Sequence, residues 1–403
     1  MARTPDALIK PELLSWVRQS AGFGLDAAAA KLRVSEDRLR SWESGSTRPT
    51  IAQLRMAAKV YKRPLAIFYL PEPPLDFQPL RDYRRLPDTQ LGQLSPGLLA
   101  VIRRAHAVRE AAIELRELAD EPVGAAPMLD EPTTDSELYG AATRSLLGVT
   151  LTQQATWRDP RRALNAWLDA VSRLDVLVLQ AQSIPLKEMR GFSISMTHLP
   201  VVVLNGGDFP RGRIFTLLHE FAHVLLHADG VCDALPRQQP RGPTDEIEIF
   251  CNQVAAAVLM PLDAFRAEPT LQDPPADMRW SEDTIRSLSE KYSTSREAVV
   301  RRLYSVGLAD WGFLQEKEAE YRAGYEVFRE EQKRKRQEDE RSGGPSYYRM
   351  MIRDLGRGFI ESALDAYYRR AITGSDLSEY LEIKLNGLPK LEAKLASTGG
   401  ARD

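Results

Sequence analysis

Cysteine is nearly absent from this sequence. Cys232 and Cys251 are the only two in 403 residues, and neither sits in a C-x-x-C pair. A disulfide-stapled scaffold is thereby excluded, and a reducing compartment is expected. Long apolar runs are missing as well: no stretch approaches 18 uncharged apolar residues, and the opening MARTPDALIKPELLSWV has no apolar leader core. These absences predict a cytoplasmic protein with no membrane partner. Net charge is also lacking, at -2 for the whole chain. A nucleic-acid partner must therefore be sought in local charge rather than in the total. What remains is ordinary globular composition, 43% hydrophobic and 27% charged, in a chain long enough for two or three domains.

Punctuation by proline and glycine divides the sequence. Residues 1–74 read as a compact all-helical domain: Pro11 opens a helix, Ser35 is placed to cap residues 36–44, and Gly45 to end them. The prolines at 71, 73 and 74 mark a boundary. Residues 75–165 read as a helical connector. From about Leu174 the period changes, and LDVLVLQ, GFSISM and PVVVLN favour short strands. A strongly apolar helix follows, then a polar loop over residues 229–243, then a second apolar helix from about residue 246 to 259. The expected architecture for residues 166–308 is α+β with a small sheet. Residues 309–344 read as a charged helix or linker. Tyr321, Tyr325 and Phe328 give it a thin apolar stripe, and the basic cluster at 333–336 forms a solvated face. Residues 345–403 read as a small helical tail, with Ser375 as a candidate cap.

Histidine is scarce too, yet three of the five (His219, His223 and His227) fall within one nine-residue window. LLHEFAHVLLH contains H-E-x-x-H. Residues four apart share a helix face, so His219 and His223 can offer imidazoles to one ion while Glu220 lies beside them as a proton acceptor. The neighbouring residues are apolar nearly all round the helix. Burying two imidazoles and a carboxylate there without partners would cost several kcal/mol, which a metal relieves. A catalytic zinc needs a third protein ligand and an open position. Glu248, on the next apolar helix, is the best candidate. Glu246 lies on another face, and the competing role for Glu248 is a capping-box glutamate three residues after Asp245. His227 reads as a polar end-of-helix residue, Cys232 as a small loop residue and Cys251 as a buried apolar side chain.

FTLLHEFAHVLLH followed by E-x-x-x-N-x-x-A-x-x-x-L-M-P resembles the ImmA/IrrE family of metallopeptidases, and the resemblance extends over about residues 170–308. Val254 departs from it, since phenylalanine is usual there. The resemblance implies a Zn2+ cofactor held by His219, His223 and Glu248, four residues before Asn252, with Glu220 as general base. The short strand ahead of the helix matches at 201–205. Its residues Val201, Val203 and Asn205 are expected to bind the substrate backbone as an added strand. The implied protein substrate is a helix-turn-helix repressor of a stress response or mobile element, cleaved to relieve repression.

AAAAKLRVSEDRLRSWESGSTRPT resembles the XRE-type helix-turn-helix family through A-x-x-L-x-V-S and W-E-x-G. Residues 1–70 hold twelve Lys and Arg against six Asp and Glu, a balance suited to double-stranded DNA. Arg33, Glu36, Asp37, Arg38, Ser41 and Arg48 are the candidate DNA contacts, drawn from the start of the recognition helix and its flanks. Glu36 and Asp37 oppose phosphates, although either can accept from a cytosine amino group. A rival for the whole chain is a DNA-binding transcriptional regulator whose zinc site is sensory or structural. The carboxylate of Glu220 between the histidines argues against it.

Overall fold

Helix signals at the start of the chain act where they stand. Pro11 begins the helix Pro11–Ser20. Ser35 accepts from the Arg38 amide to start Glu36–Glu43, and Thr50 with Gln53 forms a capping box ahead of Ile51–Tyr61. The segment Leu65–Tyr69 closes into a 3-10 turn. In the computed structural model, residues 5–74, 94–129, 133–226, 230–232, 243–341 and 346–399 are described. They divide into two compact units, residues 1–84 with 88–106, and residues 85–87 with 107–403.

In the first unit, Leu14, Val17, Leu39, Trp42, Leu54 and Phe68 share one core. Arg18 grips Glu43 with two bonds, of 2.7 and 2.9 Å. That pairing fixes the first helix to the third, so the glutamate of the W-E-x-G motif is a packing residue here. Trp42 is 2% exposed and belongs to the same core.

The second unit is mostly helical around a small sheet. Strand β1 (Leu177–Ala181) runs parallel to β3 (Val201–Asn205). Strand β2 (Gly191–Ile194) pairs antiparallel with β3 and with β4 (Gly230–Cys232). The order is β1-β3-β2-β4. The first three strands lie where the β-rich runs predicted them. β4 was expected to be loop, and residues 233–242 of that loop lie outside the described residues.

The sheet carries the helix Pro210–Leu225, called the site helix below. Its start precedes the apolar run because Pro210 occupies the first turn, with Asp208 accepting from the Phe209 amide at 2.8 Å. The companion helix Pro243–Leu259 packs against the site helix and against Ser136–Leu147. At the latter crossing a Cβ on Gly140 would fall 2.5 Å from the Ala257 methyl, so only glycine permits the approach.

Tyr139, Leu147, Trp167, Leu217, Phe221, Val254 and Leu303 belong to one hydrophobic core. Residues 136–165, read from sequence as connector, thus pack as part of the body that carries the site. The helix Trp311–Arg341 is also tied down in its first half. Tyr321 donates to Glu282 at 2.8 Å, and the Tyr325 ring meets Phe209 edge-on at 5.4 Å. The tail helix Tyr347–Leu355 packs against β1, and Gln182 donates to Asp354 at 3.2 Å. Farther on, Thr373 rather than Ser375 caps Gly374–Leu381, because its side chain reaches the Asp376 amide. Among the described residues no helix is long and apolar enough to cross a membrane.

Candidate metal centre

The site helix is buried from Thr216 to Leu225, as its nearly continuous apolar sequence requires. His219 and His223 sit one turn apart on it, 0% and 1% exposed. Their Nε2 atoms face each other at 3.2 Å, with the rings 70° apart. The companion helix brings Glu248 to the same point. Its Oε2 lies 3.4 Å from His219 Nε2, and its Oε1 lies 3.5 Å from His223 Nε2. One ligand atom from each of the three residues falls within 4.8 Å of the others. Two imidazole lone pairs and a carboxylate pointed at one buried spot repel unless a proton or cation joins them, which is the donor set of a metal centre.

Burial pushes the Glu248 carboxyl up, but hydrogen bonds and charge from His219 and His223 outweigh it and hold the group well below the usual carboxylate range. Glu248 is therefore ionised at neutral pH, the form a cation needs. Asn252, one turn on, donates from Nδ2 to the Glu248 carbonyl at 2.9 Å, adding a side-chain bond to the turn that bears the carboxylate. Glu246 is exposed and outside the cluster.

Glu220 is fully buried beside the pair. Strand β2 supports it from below: a Cβ on Gly191 would come 2.5 Å from Thr216 Cγ2 and 3.3 Å from Glu220 Cγ. Glycine at 191 lets the site helix settle onto the sheet at the residue where the carboxylate is set. His227 lies outside the described residues, as does the side chain of Cys232, whereas Cys251 is buried as expected.

The expectation that Val201, Val203 and Asn205 bind substrate is corrected by the sheet. β3 is an inner strand, hydrogen-bonded to β1 on one side and β2 on the other, so its backbone cannot accept a further strand. Val201 and Val203 are core residues. Asn205 is spent on local structure, donating to the Ile184 and Met189 carbonyls at 2.9 and 2.8 Å and accepting from the Gly207 amide. It pins the loop between β1 and β2.

In the first unit Arg33, Glu36, Asp37, Arg38 and Arg48 are exposed, while Ser41 is half-buried. The Ser41 hydroxyl donates to the Arg38 carbonyl at 2.7 Å and meets Thr47 Oγ1 at 2.6 Å, so it is committed within its own bundle.

Sequence reasoning found the two histidines and both glutamates but not the residues that seat them. Gly191 and Gly140 matter through close approach, and a lone glycine in a strand or helix pattern is the only signal either gives. Arg144, Gln154 and Arg302, buried at the end of the companion helix, show nothing in sequence because each comes from a different element. Among curated proteins none matches the chain. Residues 173–304, the stretch that holds His219, Glu220, His223 and Glu248, match the Peptidase_M78 family model, described as the IrrE N-terminal-like domain, and so are similar to a peptidase domain.

Proposed function

We propose that this chain is a zinc-dependent endopeptidase whose substrate is a helix-turn-helix repressor, with residues 1–70 contributing contacts to duplex DNA. The observation that carries the peptidase reading is the convergence of His219, His223 and Glu248 with Glu220 beside them. A tetrahedron with zinc–ligand bonds of about 2.0–2.1 Å has edges of about 3.3–3.4 Å. The two imidazole nitrogens, 3.2 Å apart, suit one such edge, and the Glu248 carboxylate stands across both, its Oε2 3.4 Å from His219 Nε2 and its Oε1 3.5 Å from His223 Nε2. Three protein ligands leave a position open, as catalysis requires and a closed structural site does not.

His219 and His223 would hold zinc through Nε2, and Glu248 through a carboxylate oxygen. Zinc, when bound, lowers the pKa of a coordinated water to about 7 and polarises the scissile carbonyl. Glu220 accepts the proton from the attacking water on its carboxylate and delivers it to the leaving amine nitrogen. Its burial keeps that proton from exchanging with bulk solvent during transfer. The apolar walls of the site helix exclude competing water and strengthen each charge interaction within.

Purified protein is expected to hold about one zinc per chain, and His219→Ala and His223→Ala to lose it. Full retention of zinc in both variants would sink the assignment. Incubation with candidate repressors, followed by mass spectrometry of the fragments, tests the substrate. Zinc without cleavage of any repressor favours a regulator with a sensory or structural site.

The DNA part rests on the exposed basic side chains Arg33, Arg38 and Arg48. If they meet phosphates, log affinity for a random duplex should fall with log salt by about 0.9 per phosphate neutralised. Glu36→Gln with Asp37→Asn should raise non-specific affinity by removing repulsion at the helix start. Fluorescence anisotropy of the full chain across a salt series reads both, and no binding at low salt removes DNA as a partner.

A further inference from the structure

The companion helix ends inside the protein. Pro261 follows Met260 and the helix stops there, and among the described residues no backbone N–H is bonded to the Val258, Leu259 or Met260 carbonyl. Three side chains from three other helices supply them. Arg144 Nη1, on Ser136–Leu147, donates to the Val258 carbonyl at 2.6 Å. Gln154 Nε2, on Leu151–Thr156, donates to the Leu259 carbonyl at 3.1 Å. Arg302 Nε, on Arg296–Ser305, donates to the Met260 carbonyl at 3.0 Å. All three residues are buried, at 8%, 1% and 2% exposure.

Successive carbonyls on a helix turn by about 100°, so three held in a row resist rotation as well as sliding. Glu248 rides on the same rod, about 15 Å from the Val258 end at 1.5 Å per residue. A displacement at one end of a rigid rod reaches the other, and a metal ligand tolerates only about 0.2 Å.

We infer that Arg144, assisted by Gln154 and Arg302, is a positioning residue that sets the register of the companion helix and so brings Glu248 onto the two imidazoles. This rests on the metal-site reading above. Arg144 is the member of the trio with the least structural alternative. Arg302 is paired with Glu137, Nη2 to Oε2 at 2.7 Å. Arg144 has no carboxylate partner among the described residues. Its guanidinium meets the Val258 carbonyl and Gln154 Oε1, the latter at 2.8 Å, and lies 5.7 Å from the Trp167 ring. A buried cation without a counter-ion is compensated here by the negative end of the companion helix. Burial lowers it to about 10, so the charge persists at neutral pH.

The test uses the full chain, stripped of metal and reloaded. Chelator competition gives the zinc dissociation constant, and visible absorption of the Co2+-loaded protein reports the ligand set. Arg144→Met is expected to keep its circular dichroism, weaken zinc binding about 10- to 100-fold, and shift the cobalt bands as Glu248 withdraws. Arg144→Lys, which restores a donor and the charge, should recover part of the affinity. A folded Arg144→Met with wild-type affinity and spectrum overturns the inference and leaves the metal site standing. Wild-type protein that takes up no zinc overturns both. Should Arg144→Met not fold, Gln154→Met replaces it under the same criteria, since it removes the donor to Leu259 and to the Tyr292 carbonyl at 2.8 Å.

Discussion

Glu220→Gln should retain the wild-type zinc content and cleave roughly 10²–10⁴-fold more slowly, the range for loss of a positioned proton acceptor. Glutamine has nearly the shape of glutamate, so the close fit over Gly191 and Thr216 is preserved. The residues proposed to hold zinc are His219, His223 and Glu248, so none of their donor atoms is removed. What disappears is the ability to take a proton from water and return it to an amine. Metal analysis and fragment yield, measured on one preparation, separate this result from misfolding, which would lower both. Cleavage at the wild-type rate would take Glu220 out of the chemistry and transfer the general-base role elsewhere. Loss of zinc together with activity, in a variant whose circular dichroism matches the wild type, would assign it to metal binding instead.

How much of this was legible beforehand depended on whether the physics was local. The spacing of His219, Glu220 and His223 is a property of one helix, and the apolar residues around them announced its burial. Caps are local too, and Ser35 was found from its own neighbourhood. Strand order is not local. PVVVLN reads equally well as an inner or an edge strand, and only the pairing of β3 with both β1 and β2 rules out substrate addition there. The same limit hid the role of residues 136–165. Their apolar spacing predicts helices, but that Tyr139 and Leu164 share a core with Phe221 depends on packing between segments far apart in sequence. Arg144 lies 114 residues from the carbonyl it caps, beyond the reach of any sequence window.

Glu248→Ala is expected to weaken zinc binding more than about 100-fold, exceeding the loss that a supporting residue gives, while Glu246→Ala leaves it unchanged. The two glutamates are two positions apart, which on a helix places them about 200° apart round the axis. Geometry bears this out: Glu248 lies 3.4 and 3.5 Å from the imidazole nitrogens, and Glu246 is exposed. Removing Glu248 leaves two neutral nitrogens and no anionic ligand, so a divalent cation would enter a buried site with its charge uncompensated. Glu248→Gln is the sharper variant, because it keeps the volume and removes only the charge. It should also lose zinc, although an amide oxygen can still reach the ion. Binding isotherms for the three variants at one pH decide the matter. Retention of zinc by Glu248→Gln would show that charge is dispensable and that the carboxylate acts by shape. An empty site in Glu246→Ala with a full one in Glu248→Ala would mean the companion helix is rotated about its axis from the placement described, and with it the third ligand.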